Sequence, residues 1–399
     1  MNKMQAVILA AGKSTRTYPL TVNRPKPLLK VLDKTMIEHN LDQLHGLVDE
    51  VIIIVGFRKE LVMEKLGSFY KGMKLCFAEQ KEQLGTGHAL ETAKPFLKGK
   101  FIVLNGDDIY DKKDIAAMLE HDYAILVKEV ESVARRFGAV VVKDNKVKEI
   151  IEKPAENISK YANTGVFVFK PDIFNIELKK TERGEYELTD FATGLAKKGL
   201  LEYEPVKGFW LPVGYPWNYL EANVEMLHRV KAKQIDETAV IEDNVTIKGI
   251  VIIGKNTLIK SGTYIEGPVF IGDDCEIGPN AYIRKDTILM DKVRTRAEIV
   301  DSVLMDNTTA KHTSYIGHSV IGENCNIAAG TITADYRHDA GSNKTLIKGE
   351  KVDTGRKKLG AFIGDNVKLG IGTLIYPGRK IWPNKTTLPG EIVKQDIVD

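Results

Sequence analysis

The chain has 399 residues, which is too long for one ordinary hydrophobic core and indicates two domains. Its 57 Lys and Arg residues nearly balance 54 Asp and Glu residues, which argues against a bulk nucleic-acid surface. The longest strongly apolar run, near residues 51–55, is far too short to cross a bilayer. Three cysteines form neither a disulfide framework nor a CxxC metal pair, so we expect a reduced, cytoplasmic protein. From the balanced charge and the short apolar runs, we expect no nucleic-acid or membrane partner.

The first predicted strand, Gln5–Leu9, ends in the small residues 10–12, where a chain can turn sharply and let a ligand approach the backbone. Amide N–H groups in such a turn suit an anion, and Arg16 and Lys26 add positive charge nearby. The pattern therefore predicts a bound polyphosphate. A plain turn with solvated basic residues is the alternative, and no Walker A motif is present.

This stretch resembles the signature of the sugar-1-phosphate nucleotidyltransferases, L-A-A-G-x-G-T-R followed by a K-P pair. Ser14 stands where the family has its second glycine, and serine is costly at positive φ, so we expect a tighter or reshaped loop. The resemblance implies that Arg16 and Lys26 are catalytic. It also implies that the loop binds nucleotide through Leu9, Ala10, Ala11 and Gly12.

Strand-like and helix-like segments alternate over residues 5–230, which predicts an α/β, Rossmann-like domain with a mostly parallel sheet covered by helices. Ligands of such folds bind beyond the carboxyl ends of the strands. The further predicted strands cover residues 51–55, 101–104, 124–127 and 166–169, and the predicted helices cover residues 36–47, 88–96, 114–120 and 216–233.

The loop after residue 104 reads Asn-Gly-Asp-Asp and could hold Mg²⁺ through carboxylate oxygens, although Gly and Asp also populate plain turns. In the nucleotidyltransferases, the aspartate at this strand end binds the metal. Asp107 is the matching residue.

Residues 80–89 place two glycines around Thr86 just before a helix, which predicts a compact loop with exposed backbone. The alternative is a helix N-terminus capped by Thr86. The segment resembles the Q-x-x-Q-L-G-T-G-H-A run of bacterial enzymes that make UDP-N-acetylglucosamine. That resemblance implies nucleotide contacts from Gln80, Gly85 and Thr86, with Gln80 and Gly85 reading the pyrimidine base.

Three further matches to that family follow in chain order and imply sugar contacts. They are Gly138, Glu152 and Asn163. One departure concerns the metal, because the family has an acidic or amide residue in a W-x-D-x-G element where this chain has Pro212. Either metal binding depends on Asp107, phosphates and water, or the site is weakened.

From residue 241, isoleucine recurs every sixth residue, a period that fits neither a helix nor a hairpin. It is the hexapeptide repeat of a parallel β-helix, in which each isoleucine points inward and the coils stack into one core. The resemblance is to the left-handed form. The repeat comprises Ile241, Ile247, Ile253, Ile259, Ile265, Ile271, Ile277 and Ile283, and returns at Ile321, Ile327, Ile363, Leu369, Ile375 and Ile381. Cys275 and Cys325 occupy positions that favour small residues, which predicts packing roles.

Polar residues 333–359 interrupt the repeat, and the segments before them, Lys311-His-Thr-Ser-Tyr315 and residues 326–333, resemble the acetyltransferase half of the bifunctional bacterial enzyme. A lone histidine beside a coil is more often a surface residue, but this context implies that His312 is a general base. The resemblance also implies an oxyanion contact from the Ala329 N–H and a phosphate contact from Arg284. Other matches to the amino-sugar or acetyl-CoA site are Tyr315, Asn326, Asp335, Tyr336 and Lys344.

Two of these positions depart from the family. Asp335 replaces an asparagine, and its carboxylate could hold the attacking amine as ammonium, orient it, or pair with Lys344. The phosphate-binding lysine near Glu298 has no counterpart, since Val300 stands there.

The sequence therefore predicts a nucleotidyltransferase domain over residues 1–232 and a left-handed β-helix acetyltransferase domain over residues 233–399. The expected enzyme uses Mg²⁺, a nucleoside triphosphate (UTP or dTTP), a sugar 1-phosphate and acetyl-CoA to make UDP-N-acetylglucosamine, as a homotrimer. One alternative is a glucose- or mannose-1-phosphate nucleotidyltransferase whose β-helix only assembles the trimer. Another is a non-catalytic regulatory homologue.

Overall fold

The computed structural model describes residues 4–134, 137–144, 146–181 and 184–398. Its internal contacts divide the chain into two compact units. Unit 1 contains Met1–Lys13, Pro25–Leu29 and Thr35–Pro212, and unit 2 contains Ser14–Arg24, Lys30–Lys34 and Val213–Asp399. The predicted domain boundary at residue 232 stays a prediction.

Unit 1 is built on a ten-stranded sheet whose central strands are parallel, with antiparallel strands added on both sides. All five residues of Gln5–Leu9 are buried, as expected for a parallel strand covered on both faces. Ala124–Glu129 joins Tyr161–Phe169, and Glu202–Pro205 pairs with Ala124–Glu129. The other strands run in the order Lys146–Ile151, Ala139–Lys143, Tyr161–Phe169, Phe101–Asn105, Gln5–Leu9, Glu50–Val55, Met73–Glu79 and Phe69–Tyr70.

Helices cover both faces of this sheet. Val7 packs in one core cluster with residues of the helices Thr86–Ala93 and Thr189–Lys197, whereas Ile8 packs in a second cluster on the other face. Among the described residues, the α-helices are Met36–Leu44, Lys59–Leu66, Thr86–Ala93, Lys112–Met118, Thr189–Lys197 and Pro216–His228, and the 3₁₀ helices are Thr15–Thr17, Lys26–Leu28, Lys94–Phe96 and Pro171–Asn175.

The predicted α/β fold is confirmed, and the predicted elements differ mainly at their ends. The helix predicted over residues 114–120 begins earlier, at Lys112, because the Asp111 side chain accepts the Lys113 N–H at its start. The helix predicted over residues 36–47 ends at Leu44. The one predicted over residues 216–233 ends at His228.

Unit 2 is a parallel β-helix with three sheets, each made of strands from successive coils. Early coils repeat at 18 residues, as in the pairing of Ile253 with Ile271. The first sheet contains Gln234–Ile235, Val251–Ile253, Val269–Ile271, Thr287–Leu289, Val303–Leu304, Val320–Ile321, Phe362–Ile363 and Lys380–Ile381. The second contains Val240–Ile241, Leu258–Ile259, Glu276–Ile277, Arg294–Thr295 and Thr309–Ala310. The third contains Thr246–Lys248, Tyr264–Glu266, Tyr282–Ile283, Glu298–Val300, Tyr315–Gly317, Ile332–Thr333, Leu374–Ile375 and Ile392–Val393.

The repeat isoleucines form the core of these coils, as predicted. The repeat residues from Ile253 onward are at most 3% exposed, as expected of residues that point into the core. Ile241, in the first coil, is 38% exposed and is therefore not a core residue. Cys275 and Cys325 lie in the same core, and burial raises the pKa of each thiol to about 12. Their predicted packing role is confirmed.

The interruption of the repeat is a polar excursion that contains a two-stranded hairpin. Its antiparallel strands are Lys344–Ile347 and Glu350–Asp353. In the part of the chain that the structure describes, the remaining short strands are Lys30–Val31, Lys34–Thr35, Asp108–Tyr110 and Trp210–Pro212. Within the described ranges, no helix combines the length and the apolar character that crossing a bilayer would require.

Candidate functional sites

The loops that follow Leu9 and Asn105 lie side by side at one edge of the unit 1 sheet. Leu9 and Asn105 are register partners on adjacent parallel strands. The Gly106 N–H donates to the Leu9 carbonyl (2.9 Å), and the Ala10 N–H donates to Ile54 (2.9 Å). The structure thus brings together the two loops for which the sequence predicted phosphate and metal contacts.

The backbone of residues 11–13 is open to a ligand. None of these three amide N–H groups has a hydrogen-bond partner among the described residues. Gly12 is exposed, and a Cβ built on it would have no heavy atom within 4 Å. Ala11 is buried, but its unpaired amide and those of the two exposed residues after it adjoin the open space at Gly12, and unpaired amides are suited to an anion such as a phosphate.

Lys26 and Asp107 form an ion pair at this edge, with 2.5 Å between Nζ and Oδ2. The Lys26 side chain is only 4% exposed, whereas that of Asp107 is 37% exposed. The described residues include no group of three or more His, Cys, Asp or Glu side chains placed to hold a metal by themselves. Magnesium needs only one or two carboxylates when phosphate oxygens and water complete its shell, so Asp107 fits that ion.

Pro212, on the short strand Trp210–Pro212, has no side-chain oxygen that could bind a metal. Pro212 pairs with Asp108, and the Asp108 carboxylate accepts the Trp210 indole N–H (3.0 Å). The Asp108 carboxylate is therefore already hydrogen-bonded to Trp210 and is buried, whereas the Asp107 side chain is accessible to a ligand.

Ser14 adopts the left-handed conformation that a glycine would adopt, with φ 50°. That conformation costs about 1–2 kcal/mol for a residue with a Cβ. The hydroxyls of Thr17 and Thr21 both donate to the Ser14 carbonyl, at 2.7 and 2.9 Å, and offset part of that cost.

The segment Ser14–Arg24 belongs to unit 2 and is fixed there by charge. The Arg24 guanidinium donates to Glu323 and, at 2.7 Å, to Asp365. Burial alone would lower the pKa of Arg24, but the two carboxylates raise it above its ordinary value. Arg16 is exposed, with its guanidinium carbon 5.6 Å from the centre of the Tyr215 ring.

Gln80 and Gly85, the predicted base-reading residues, are in direct contact. Gln80 Nε2 donates to the Gly85 carbonyl (2.9 Å) and lies 3.1 Å from His88 Nδ1. No described residue donates to Gln80 Oε1, which leaves that oxygen as an acceptor. Thr86 does not cap its helix; its hydroxyl accepts the Leu188 N–H (3.0 Å) and so ties the loop to the chain near residue 188.

The three predicted sugar-binding residues form one cluster. A Cβ on Gly138 would lie 2.9 Å from Glu152 Oε2 and 3.4 Å from Asn163 Cβ. The Asn163 N–H donates to the Gly138 carbonyl (2.8 Å). Asn105 lies against Gly165, two residues beyond Asn163, so this cluster adjoins the strand end that leads to Asp107.

His312 and Ala329 lie on successive coils at the same corner of the β-helix. The Gly330 N–H donates to the Thr313 carbonyl (2.8 Å), which stacks the two corners. His312 is exposed and has no hydrogen-bond partner among the described residues. The Ala329 N–H likewise has no partner there, and a free N–H and an accessible imidazole at one corner of the β-helix are the groups that an oxyanion contact and a general base require.

Asp335 lies in a chain of polar contacts on the third sheet. Its carboxylate accepts the Tyr315 hydroxyl (2.8 Å) and lies 3.4 Å from His318 Nε2. Burial, and then the Asp335 carboxylate, raise the pKa of Tyr315 above its ordinary range, so Tyr315 stays a neutral donor. Among the described residues, the Asp335 carboxylate is hydrogen-bonded to Tyr315 and lies at ion-pair distance from His318, and it has no contact with Lys344.

The remaining predicted acetyltransferase residues are distributed over several parts of unit 2. The Arg284 guanidinium donates to Glu298 (2.9 Å). Burial lowers the pKa of Arg284, but Glu298 has the larger combined effect and raises this pKa above its ordinary value. Asn326 accepts the Thr309 hydroxyl (2.9 Å) and continues the second sheet, a different face from that of Tyr315. Tyr336 is exposed beside Lys358, and Lys344 begins the hairpin.

Three further residues belong to the same chain of polar contacts as Asp335, and no sequence motif indicated them: His318, Asp301 and Arg356. His318 Nδ1 lies 2.7 Å from Asp301 Oδ2, which also accepts the Arg356 guanidinium (2.8 Å). A signal was available: Asp301, His318 and Asp335 are each 17 residues apart, so they occupy the same position on successive coils.

Known proteins match both halves of the chain. Residues 5–229 match a family model described as nucleotidyl transferase, and residues 263–398 match one described as GMPPB C-terminal domain. The chain is 41% identical over 386 residues to the bifunctional protein GlmU of Methanocaldococcus jannaschii, covering 96% of this chain and 92% of the relative. The bifunctional sugar-1-phosphate nucleotidylyltransferase/acetyltransferase of Sulfurisphaera tokodaii is 37% identical, with 99% and 98% covered.

The chain belongs to this family of bifunctional transferases. A solved structure from Bacillus anthracis, described as a candidate glucose-1-phosphate thymidylyltransferase, aligns with a TM-score of 0.53 and 30% identity, covering 58% of this chain and 98% of that one. Members of the family transfer nucleotidyl and acetyl groups, and the two groups of residues described above lie in the matched regions.

Proposed function

We propose that this family member makes a nucleotide sugar in two reactions. One transfers an acetyl group from acetyl-CoA to the amine of glucosamine 1-phosphate. The other joins the nucleotidyl group of UTP, or of dTTP, to the resulting sugar 1-phosphate and releases pyrophosphate. The observation that carries the proposal is that a single chain holds both the open amide loop with its Lys26–Asp107 pair and the His312–Ala329 corner.

In nucleotidyl transfer, a sugar phosphate oxygen attacks the α-phosphorus and pyrophosphate leaves. The free N–H groups of residues 11–13 bind phosphate oxygens, and the buried Lys26 ammonium stabilises the charge of the transition state. Mg²⁺, held by Asp107, supplies further charge neutralisation when it is bound. Arg16 is assigned the same role as Lys26 on the resemblance of the signature loop.

The base and the sugar occupy the two clusters on either side of this edge. Gln80 Oε1 accepts the ring N–H of a pyrimidine, because the amide nitrogen of Gln80 is already bonded to Gly85. Glu152 and Asn163 bind sugar hydroxyls, and the absence of a side chain at Gly138 lets these two residues pack close together.

In acetyl transfer, the amine nitrogen attacks the thioester carbon while His312 takes its proton. The Ala329 N–H stabilises the oxyanion, and the coenzyme A thiolate leaves as the tetrahedral intermediate collapses. Arg284 binds the sugar phosphate. Because Asn326 and Tyr315 lie on different faces of one β-helix, we propose that the complete site forms between two subunits of a homotrimer.

A monofunctional mannose- or glucose-1-phosphate nucleotidyltransferase is the second candidate, favoured by the match of residues 263–398 to the GMPPB C-terminal domain. A panel of UTP, dTTP and GTP with acetylated, amino and neutral hexose 1-phosphates distinguishes the two. We expect pyrophosphate release to be fastest with UTP or dTTP and N-acetylglucosamine 1-phosphate, and thiol release only with glucosamine 1-phosphate. Fast reaction with GTP and mannose 1-phosphate without any thiol release would establish the second candidate instead. Sedimentation equilibrium of the same preparation should give three chain masses.

A further inference from the structure

His318 is a buried histidine whose two ring nitrogens both face carboxylates. Nδ1 lies 2.7 Å from Asp301 Oδ2, and Nε2 lies 3.4 Å from Asp335 Oδ2. An imidazole can donate from both nitrogens only when it carries its second proton. Only the contact with Asp301 is a hydrogen bond, whereas the contact with Asp335 is at ion-pair distance and is attractive when the imidazole is protonated.

The surrounding charges are otherwise negative on balance. Asp301 is shared with Arg356, which also binds Glu221 (3.2 Å), and Asp335 is shared with the neutral Tyr315 hydroxyl. Without a proton on His318, three carboxylates would face one guanidinium. The imidazolium supplies the second positive charge of this cluster, and it is the one that lies next to Asp335.

Asp335 is the position where a bare carboxylate would hinder acetyl transfer. The attacking amine must be neutral to donate its electron pair, and an adjacent negative charge stabilises the ammonium form instead. A carboxylate whose charge is balanced by an imidazolium can still accept a hydrogen bond from the amine without holding its proton.

We propose that His318 is a positioning residue of the acetyl-transfer site that balances the charge of Asp335, so that Asp335 orients the amine in its neutral form. This inference rests on the proposed acetyl transfer and on the geometry of three residues stacked on successive coils. It predicts that His318 and Asp335 act as one electrostatic unit.

The test is the pH profile of thiol release from acetyl-CoA with glucosamine 1-phosphate. His318→Gln should lower the rate at pH 7 roughly tenfold and move the profile upward by about one pH unit, because one unit of amine pKa is one factor of ten. The double variant His318→Gln/Asp335→Asn should return the profile to that of the wild type. The matched control is His338→Gln, at an exposed histidine three residues after Asp335, and it should change neither the rate nor the pH profile of thiol release.

Equal loss at every pH, with no recovery in the double variant, would overturn the inference and leave a merely structural role. If His318→Gln also loses pyrophosphate release and is therefore misfolded, His318→Asn decides, because it removes the same charge with a smaller amide side chain. Its profile should move upward by about one pH unit, and an unchanged midpoint would overturn the inference. A wild type without thiol release at any pH would overturn the proposed acetyl transfer itself, and this inference with it.

Discussion

At the scale of single residues, two glycines of the predicted nucleotide site are glycine for different reasons. A Cβ on Gly85 would lie 2.4 Å from the Tyr186 carbonyl oxygen, and its φ of 102° is unfavourable for other residues. Gly12 has neither constraint, since its φ is not in the left-handed region and the space before it is empty. Folding thus explains Gly85, whereas nothing in the described structure requires a glycine at position 12.

Replacing each glycine with alanine separates the two explanations. Gly85→Ala should destabilise unit 1 by roughly 2 kcal/mol or more, because a backbone atom must move. Gly12→Ala should leave the melting temperature unchanged but raise the KM for the triphosphate. Thermal unfolding and pyrophosphate-release kinetics of both variants measure this. A Gly12→Ala enzyme with wild-type KM would mean that phosphate does not approach that backbone.

At the scale of elements, the segment Ser14–Arg24 depends on the corners of the β-helix. Arg24 reaches Glu323 and Asp365, and nearby Lys30 binds Asp291 (2.9 Å) and Asp306 (2.6 Å). Burial would lower the pKa of Lys30, but these two carboxylates raise it. One row of acidic corners thereby fixes the segment that carries Arg16.

Arg24→Ala should consequently affect both stability and chemistry. The variant leaves Glu323 and Asp365 without their partner, which costs about 3 kcal/mol for a largely buried pair. Pyrophosphate release should fall as the segment that carries Arg16 loosens. Lys59→Ala, which removes an exposed pair with Glu79, is the control and should leave the melting temperature and both rates unchanged. Wild-type pyrophosphate release by Arg24→Ala would show that this anchoring has no role in catalysis.

At the scale of the whole molecule, the sequence predicted what depends on periodicity and on local motifs. The six-residue isoleucine repeat determined the β-helix, and the apolar strand followed by small residues determined the position of the amide loop. It did not reveal that Gln80 donates to the Gly85 carbonyl, or that Asp335 lies at ion-pair distance from His318. Those contacts depend on which side chains the coils and loops bring together, and a match to a motif does not contain that geometry.

Nucleotidyl transfer and acetyl transfer are assigned to one chain but share no residue, so each reaction should proceed without the other. Lys26 lies in unit 1 and is paired with Asp107, whereas His312 lies in unit 2 at the corner below Ala329. Loss of one group should remove the charge or the proton acceptor of one reaction only.

The most direct test measures pyrophosphate release and thiol release on the same preparations of Lys26→Ala and His312→Ala. Lys26→Ala should lose on the order of a hundredfold or more of its pyrophosphate release and keep its thiol release. His312→Ala should show the reverse. If either variant remains folded by circular dichroism and loses both activities to the same extent, the account of two separate sites is wrong.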